Sequence, residues 1–349
     1  MNIVIVGAGL IGKERIKAIE IIRKESGLNI EIIGVVDPLF DGKTEEVFFD
    51  IKYNVYNNLQ ILFDKVSTKV DWVFICTPHF ETANAAIIAL DNGAHILVEK
   101  PLGRNVDEFD KIIKHKKDSQ IINVGFNYRF FTGVSLLLED ALKGDFGQII
   151  SVNMILAHGN SPGMEKSWKL DPILCGGGCL IDPGIHLIDL AMILSKGSLK
   201  SESFLYWDGF WKTGIEEEVH LLASDKNRTI YNFYISLNKW RSTFRIEING
   251  TNGYGVVEGR GRSYGNQKYT KGKRWAWRND KSQAESEIVI LDSYNADDSF
   301  VRETRNVLSQ ECGNKNSLQK NQIIKIANES DNYLSLKLID SLYKNYKIY

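Results

Sequence analysis

The sequence predicts two domains: an α/β domain with a doubly wound parallel sheet, followed by an α+β domain with a large, mostly antiparallel open sheet. In the first third of the chain, short apolar strands alternate with helices, which implies right-handed crossovers and a parallel sheet. In later segments apolar residues recur at every second position, as in strands with one covered face. We place the domains at residues 1–125 and 126–349, and leave open whether the C-terminal helices pack back on the first domain.

Composition excludes several classes of protein. The 349 residues carry a formal net charge of −1, so no overall field favours nucleic acid or an anionic membrane as a partner. The apolar run near the N-terminus is too short to span a bilayer, and we expect no membrane association. None of the four cysteines lies in a CxxC pair, so no metal site is indicated and a reducing cytoplasm is expected.

A glycine-rich turn, GAGLIG at residues 7–12, joins the first predicted strand to the first predicted helix. In this context Gly7 permits the tight turn, Gly9 lets a pyrophosphate approach the backbone, and Gly12 lets the helix pack close to the strand. Amides at the start of the helix, at Leu10 and Ile11, would bind phosphate. The turn therefore predicts a Rossmann-type dinucleotide site. The alternative is a glycine loop that binds no ligand.

Residues at the carboxyl ends of the predicted strands extend this site. Asp37 ends the second strand, 25 positions after Gly12, where an acid accepts hydrogen bonds from the adenosine ribose. Because an acid repels a 2′-phosphate, NAD is favoured over NADP as the cofactor. Ligands of such sheets lie beyond the strand ends. The other end residues that we expect near the cofactor are Thr77, Pro78, Glu99, Lys100 and Asn127.

The segment GGGCLIDPGIHLID, residues 176–189, concentrates titratable side chains after three glycines. On a helix predicted from about residue 181 to 195, Asp182 and His186 are spaced i and i+4 and share a face. A carboxylate near an imidazole raises its basicity and fixes its tautomer. Two alternatives remain open: Asp182 is a plain N-cap with Pro183 at the first helical position, and His186 is a core histidine.

Taken together, the motifs resemble the Gfo/Idh/MocA family, named after glucose–fructose oxidoreductase, inositol dehydrogenase and a rhizopine-catabolism protein. The resemblance rests on GAGLIG, VEKPLGRN, GFNYRF and GGGCLIDPGIHLID, in that order, and on the later GTNGYGVVEG. It implies a Rossmann domain followed by a domain whose open sheet often mediates dimers or tetramers. It also implies oxidation or reduction of a secondary alcohol on a sugar, inositol or nucleotide-sugar with NAD(H) or NADP(H).

The resemblance assigns catalytic roles to Lys100, Asp182 and His186. His186 would be the general base that removes the hydroxyl proton, because an imidazole titrates near neutral pH. Asp182 would orient it, and Lys100 would stabilise the developing alkoxide. The sequence departs from the common family pattern at Pro183 and Cys179. Lys100 precedes Pro101, which restricts its backbone, and its alternative is a surface lysine in a loop.

Further residues are candidates for substrate binding. By family analogy Tyr128 and Arg129 face the cleft, and Arg129 either pairs with an anionic group or ties the two domains together. The loop before the glycines supplies a tryptophan and short polar groups that suit a sugar ring. These loop candidates are His158, Asn160, Lys166 and Trp168. Their alternative is surface or core packing, and Asp189 is expected to make a structural contact.

The aromatic residues Tyr231, Phe233 and Trp240 are expected on the outer face of the second sheet, where a partner copy would cover them in a homodimer or homotetramer. The alternative is that helices of the same chain cover this face. The leading functional hypothesis is an NAD-dependent sugar or nucleotide-sugar dehydrogenase. An inositol or free-sugar dehydrogenase is a close alternative. The other two alternatives are a non-catalytic NAD(H)-binding sensor and an NAD-dependent glycosidase-type enzyme.

Overall fold

The structure, a computed structural model, describes residues 1–279, 285–290, 298–310 and 323–346. The chain divides into two compact units. The first contains residues 1–126, 300–321 and 326–333, and the second contains residues 127–299, 322–325 and 334–349. Segments near the C-terminus therefore belong to both units.

Strands alternate with helices in the first unit. Its strands within residues 1–126 are β1 (Asn2–Val6), β2 (Glu31–Val36), β3 (Glu45–Phe48), β4 (Ile51–Tyr56), β5 (Trp72–Ile75), β6 (His95–Glu99) and β7 (Ile122–Gly125). The helices among them are α1 (Leu10–Ser26), α2 (Leu59–Lys65), α3 (His79–Asp91) and α4 (Val106–Ile113).

The second unit is richer in strands. Its strands are β8 (Ile149–Ala157), β9 (Lys200–Trp207), β10 (Glu218–Ser224), β11 (Ile230–Ser236), β12 (Thr243–Gly250), β13 (Gly253–Glu258), β14 (Gln267–Lys273) and β15 (Glu285–Ile290). Its helices are α5 (Thr132–Lys143), α6 (Pro172–Cys175), α7 (Ile185–Leu194) and α8 (Ala276–Asn279). The chain continues with α9 (Ser299–Ser309), the short strand β16 (Ala327–Asn328) and α10 (Glu329–Tyr346).

Each unit is built on one extended sheet within the described residues. In the first unit the strand order is β16-β7-β6-β5-β1-β2-β4-β3. Strands β7 to β4 in this order pair in parallel, and β16 and β3 are antiparallel edge strands. In the second unit the order is β15-β14-β13-β12-β8-β11-β10-β9, and only the β8–β11 pair is parallel. The predicted fold class is confirmed.

Alternating burial shows which face of the second sheet is covered. In β10 Val219, Leu221 and Ala223 are buried, whereas His220 and Leu222 between them are exposed. This is the pattern of an antiparallel sheet that packs on one face only. Beneath the covered face, Leu137 of α5 lies against Gly255 of β13.

The expected positions of two outer-face aromatic residues were wrong. Tyr231 and Phe233 are 1% and 2% exposed, because their register in β11 turns them toward the core. Trp240, in the loop after β11, is 87% exposed. The apolar residues on the open face are instead Leu205, Leu222 and Ile230. Period two predicts alternation but does not determine which set faces inward.

The helix predicted from residue 181 begins later, so Asp182 is not a helical residue. Helix α7 spans Ile185–Leu194 with Gly184 at its N-cap, and residues 180–184 form turns. The residue before a proline is disfavoured in the helical region, which keeps Asp182 outside the helix. The i, i+4 argument for Asp182 and His186 is therefore wrong, although the two residues remain close along the chain.

Two further points concern the ends of the chain. The predicted C-terminal helical region began at residue 317, and residues 317–322 lie outside the described residues, as does Cys312. Among the helices that the structure describes, none combines the length and apolar character needed to cross a bilayer.

Candidate active site

The glycine turn of the first unit has the packing that its sequence predicts. Gly7 has φ +93°, and a Cβ there would lie 2.6 Å from the carbonyl oxygen of Cys76. A Cβ on Gly12 would overlap the carbonyl oxygen of Gly7, so α1 and the turn are in direct backbone contact. A Cβ on Gly9 would meet nothing within 4 Å. The turn is thus closed at Gly7 and Gly12 and open at Gly9, where a dinucleotide pyrophosphate would approach.

The remaining groups near this turn also suit a dinucleotide. Helix α1 begins at Leu10, and no side chain caps it, so its first amides are oriented for a phosphate. Asp37 is half-buried, and its carboxylate accepts hydrogen bonds from the amides of Ala8 (2.8 Å) and Leu39 (3.0 Å). The acid predicted from spacing therefore lies against the glycine turn itself. Thr77 and Pro78 directly follow β5, with Pro78 at the N-cap of α3.

A buried charge network holds the strand end that carries Lys100. Arg15 of α1 is fully buried and donates to Glu99 through Nε (2.9 Å) and Nη2 (2.6 Å). It also donates to Glu303 (2.5 Å) and Thr304 (3.1 Å) of α9. Burial disfavours the charged guanidinium, yet the two carboxylates outweigh this and raise the pKa of Arg15. The network fixes Glu99, the residue before Lys100, and the Lys100–Pro101 bond is cis.

In the second unit an aromatic stack surrounds His186, which is 4% exposed. The imidazole stacks on Tyr128 with ring centroids 3.9 Å apart and an angle of 5° between planes. The guanidinium of Arg260 lies 5.2 Å from the centroid of Tyr128 and 3.9 Å from that of Tyr264. Stacking fixes the plane of the imidazole without using its nitrogens, which lie at the ring edge.

Asp182, 9% exposed, forms an ion pair with Lys169 at 3.2 Å between Oδ2 and Nζ. The carboxylate of Asp182 raises the pKa of Lys169. His158 lies in the field of the same groups. Burial, reinforced by the Arg260 cation, lowers the pKa of His158 to about 4. His158 is therefore neutral at neutral pH, and Lys169 is charged.

The guanidinium of Arg129 is buried and binds other groups of the second unit. Arg129 is 3% exposed and donates from Nε to Oδ2 of Asp189 (2.7 Å), with a second bond from Nη2 to Oδ1. It also donates to the carbonyl of Lys325 (3.1 Å). Breaking such a buried pair typically costs about 3–5 kcal/mol. The pair ties the turn that holds Tyr128 to α7, three residues beyond His186.

The remaining residues predicted to bind cofactor or substrate differ in how far they are buried. Asn127 is buried, and its side chain donates to Ser299 (2.9 Å). Asn160 has φ +54° in the loop after β8. Lys166 is exposed, and Trp168 is half-buried with the ammonium of Lys169 5.7 Å from its ring centroid. Arg15, Lys169 and Arg260 were not predicted from the sequence. Lys169 is adjacent to Trp168 and could have been found, whereas no local pattern marks the other two.

Comparison with known proteins identifies the family. Residues 1–126 match the model of an oxidoreductase family with an NAD-binding Rossmann fold, and residues 139–256 match the GFO/IDH/MocA C-terminal domain. The chain belongs to the Gfo/Idh/MocA oxidoreductase family. The glycine turn and the segment with Asp182 and His186 lie within these two matches.

Relatives agree with this assignment, and a solved structure shares the fold. A levoglucosan dehydrogenase of Pseudarthrobacter phenanthrenivorans is 35% identical over 125 residues, which cover 35% of this chain and 32% of the relative. A glucose-6-phosphate 3-dehydrogenase of Bacillus subtilis is 27% identical over 203 residues, 57% of this chain and 55% of the relative. These matches span only a third to about half of the relatives. A structure of levoglucosan dehydrogenase with NADH and levoglucosan superposes with a TM-score of 0.79 at 18% identity, covering 99% of this chain and 97% of the other.

Two glycines of the turn provide a matched pair of substitutions. Gly12→Ala is expected to lower the free energy of unfolding by roughly 2 kcal/mol, because its Cβ overlaps backbone. Gly9→Ala has open space and is expected to change stability by less than about 0.5 kcal/mol. Gly9→Ala is nevertheless expected to weaken NAD(H) binding at least about tenfold, because the methyl group occupies the pyrophosphate approach.

Urea unfolding and calorimetric titration of both variants with NADH measure these effects. Wild-type NADH affinity in a folded Gly9→Ala protein would show that the pyrophosphate does not approach this glycine.

Proposed function

We propose that this protein is an NAD-dependent oxidoreductase that transfers hydride between a secondary alcohol of a sugar or nucleotide-sugar and nicotinamide. Residues 1–125 would bind the cofactor, and residues 126–349 would bind the substrate and mediate oligomerisation. Family membership and the names of the relatives, which act on sugars, support the reaction class. The observation that carries the assignment of chemistry is the buried His186, held face to face on Tyr128.

The proposed mechanism gives each residue one task. A bound nicotinamide would supply the hydride chemistry at the substrate carbon. In the oxidative direction His186 takes the hydroxyl proton, and in reduction it returns the proton. Asp182 favours the imidazolium through its negative charge, and its ion pair with Lys169 holds the carboxylate in place. Lys100 donates to the substrate oxygen and stabilises the alkoxide that develops there.

Substrate contacts are assigned by exposure. Trp168 and Lys166 lie in the loop that carries Lys169, and we place them against the sugar ring and its polar groups, together with His158 and Asn160. Tyr128 supports His186 through the stack. Arg129, bidentate to Asp189, supports α7.

The exposed apolar residues of the second sheet support a homodimer or homotetramer. A monomer mass in analytical ultracentrifugation would contradict it. We place the protein in a reducing compartment such as the cytoplasm, as the scatter of its four cysteines along the sequence predicts. A disulfide in protein isolated from its own cells would oppose that location.

Absorbance of reduced nicotinamide tests the proposed reaction. Protein and NAD are mixed with free hexoses, inositols, hexose phosphates, and UDP-, GDP- and dTDP-linked sugars. Turnover with a sugar or nucleotide-sugar is the expected result. Turnover confined to inositols would favour the inositol dehydrogenase. Silence across the panel in protein that binds NADH would oppose the proposal and favour a sensor or a reaction that recycles its cofactor.

Replacing the proposed base separates chemistry from binding. His186→Asn is expected to lower kcat by about 10²–10⁴-fold, because general acid–base catalysis has that magnitude, with NADH affinity within about twofold of wild type. In the residual activity of His186→Asn, the change of kcat/KM with pH near neutrality is expected to be absent.

His158→Asn is the control. The pKa of His158, about 4, places its titration below neutrality, so this variant is expected to keep the change of kcat/KM with pH near neutrality. Loss of that change in His158→Asn and its retention in His186→Asn would reverse the assignment.

The acid at the end of β2 determines the expected cofactor preference. Asp37→Ala removes the charge that repels a 2′-phosphate and the acceptor for the ribose hydroxyls. The ratio of NADPH to NADH dissociation constants is expected to fall by about tenfold or more, equivalent to the loss of roughly 1.4 kcal/mol of discrimination. Competition titration measures both constants. An unchanged ratio places the ribose contact elsewhere.

A further inference from the structure

The glycine run before Asp182 packs against a buried acid. Glu216, just before β10, is 0% exposed, and its Oε1 accepts from the amide of Leu180 (2.9 Å) and from the hydroxyl of Tyr343 on α10 (2.7 Å). The backbone oxygen of Glu216 accepts from the amide of Cys179 (2.8 Å). These residues all belong to the second unit.

The absence of side chains at two of the glycines makes this arrangement possible. A Cβ on Gly178 would overlap the backbone oxygen of Glu216 and lie 2.5 Å from its Oε2. A Cβ on Gly177, which has φ +147°, would overlap the hydroxyl of Tyr343. The glycine run is therefore required by a carboxylate and a phenol that reach the backbone, independently of any ligand.

The anchored backbone leads directly to the proposed catalytic groups. The amide of Asp182 donates to the carbonyl of Gly178 (3.0 Å), and the amide of Gly184 donates to the carbonyl of Cys179 (2.8 Å). Residues 178–180 thus determine where Asp182 projects and where α7, with His186 in its first turn, begins. We therefore expect that a shift of Leu180 would move both groups.

Burying a carboxylate is costly unless hydrogen bonds replace its water shell. The hydroxyl of Tyr343 donates to Glu216, and the thiol of Cys179 lies close enough to Glu216, Glu218 and Glu217 to interact with their charges. Burial and, to a smaller extent, the negative charge of Glu216 raise the pKa of the Cys179 thiol, so the thiol stays neutral. Glu217 in turn accepts from the amides of Phe210 (2.7 Å) and Trp211 (2.6 Å).

We propose that Glu216 is a positioning residue for Asp182 and His186, acting through the Leu180 amide, with Tyr343 as its second anchor. The role rests on the proposed function, since it concerns the same acid–base pair. Glu216 does not act on the substrate. Its effect is to hold the negative charge of Asp182 where it favours the protonated imidazole.

The test uses the full-length protein and two conservative variants. Tyr343→Phe removes one hydrogen bond and keeps the ring, and Glu216→Gln keeps the shape but replaces an acceptor oxygen by a donor. Tyr346→Phe, the same change at an exposed position of the same helix, is the matched control. The first readout is the imidazole pKa of His186 by NMR of labelled histidine. The chain has six histidines, and His186→Asn identifies the signal.

In both variants the pKa of His186 is expected to fall by about 0.5 or more, because a misplaced carboxylate favours the imidazolium less. We expect kcat to fall about tenfold with KM for NAD within twofold, as for loss of an interaction made at the chemical step. In an Asp182→Asn background Tyr343→Phe is expected to shift the His186 pKa no further. Tyr346→Phe is expected to match wild type throughout.

An unchanged His186 pKa in folded Tyr343→Phe protein would overturn the proposal, as would an equal shift in the Asp182→Asn background. A lower melting temperature with unchanged pKa and kcat would make Glu216 a packing residue only. If the Glu216→Gln variant does not fold, the His186 pKa in Tyr343→Phe alone tests the positioning role. The NMR readout needs no substrate, so absence of turnover in wild type would count against the proposed function and not against the positioning role.

Discussion

Close approach of atoms to glycine backbone determines where the proposed dinucleotide-binding turn and the segment with Asp182 and His186 lie. In the first unit, contact between Gly12 and the carbonyl of Gly7 fixes the start of α1 and leaves Gly9 open. In the second unit, Gly177 and Gly178 admit Tyr343 and Glu216 to the backbone that leads to Asp182. Any side chain at these closed positions would push the elements apart, so the sites depend on them before they depend on any charged residue.

Buried charges provide the second constraint, and they lie next to the proposed reacting residues. Arg15 pairs with Glu99, the neighbour of Lys100 in sequence, and Arg129 pairs with Asp189 on the helix of His186. A buried ion pair contributes little net stability compared with apolar packing, but removing one partner is severe. Such pairs therefore favour one geometry over others, which suits a site where small displacements change rates.

Local sequence patterns were sufficient for the fold class and for the packing of the glycine turn, because each depends on residues close together in the chain. They were insufficient where distant residues decide. The spacing of Asp182 and His186 suggested one helix, but Pro183 and the anchored turn keep Asp182 outside it. Alternation along β11 could not show that Tyr231 and Phe233 face inward. Arg15 pairs with Glu303, and Glu216 pairs with Tyr343. In each pair the two residues lie more than a hundred positions apart along the chain.

Tracing the hydride tests the central claim most directly. The protein is incubated with NADH that carries deuterium at both C4 positions and a mixture of keto-sugars and keto-nucleotide-sugars, and the products are examined by mass spectrometry. The account requires one deuterium on a single carbinol carbon for each NADH consumed. Products without deuterium at carbon, or NADH that is bound but never consumed, would contradict it.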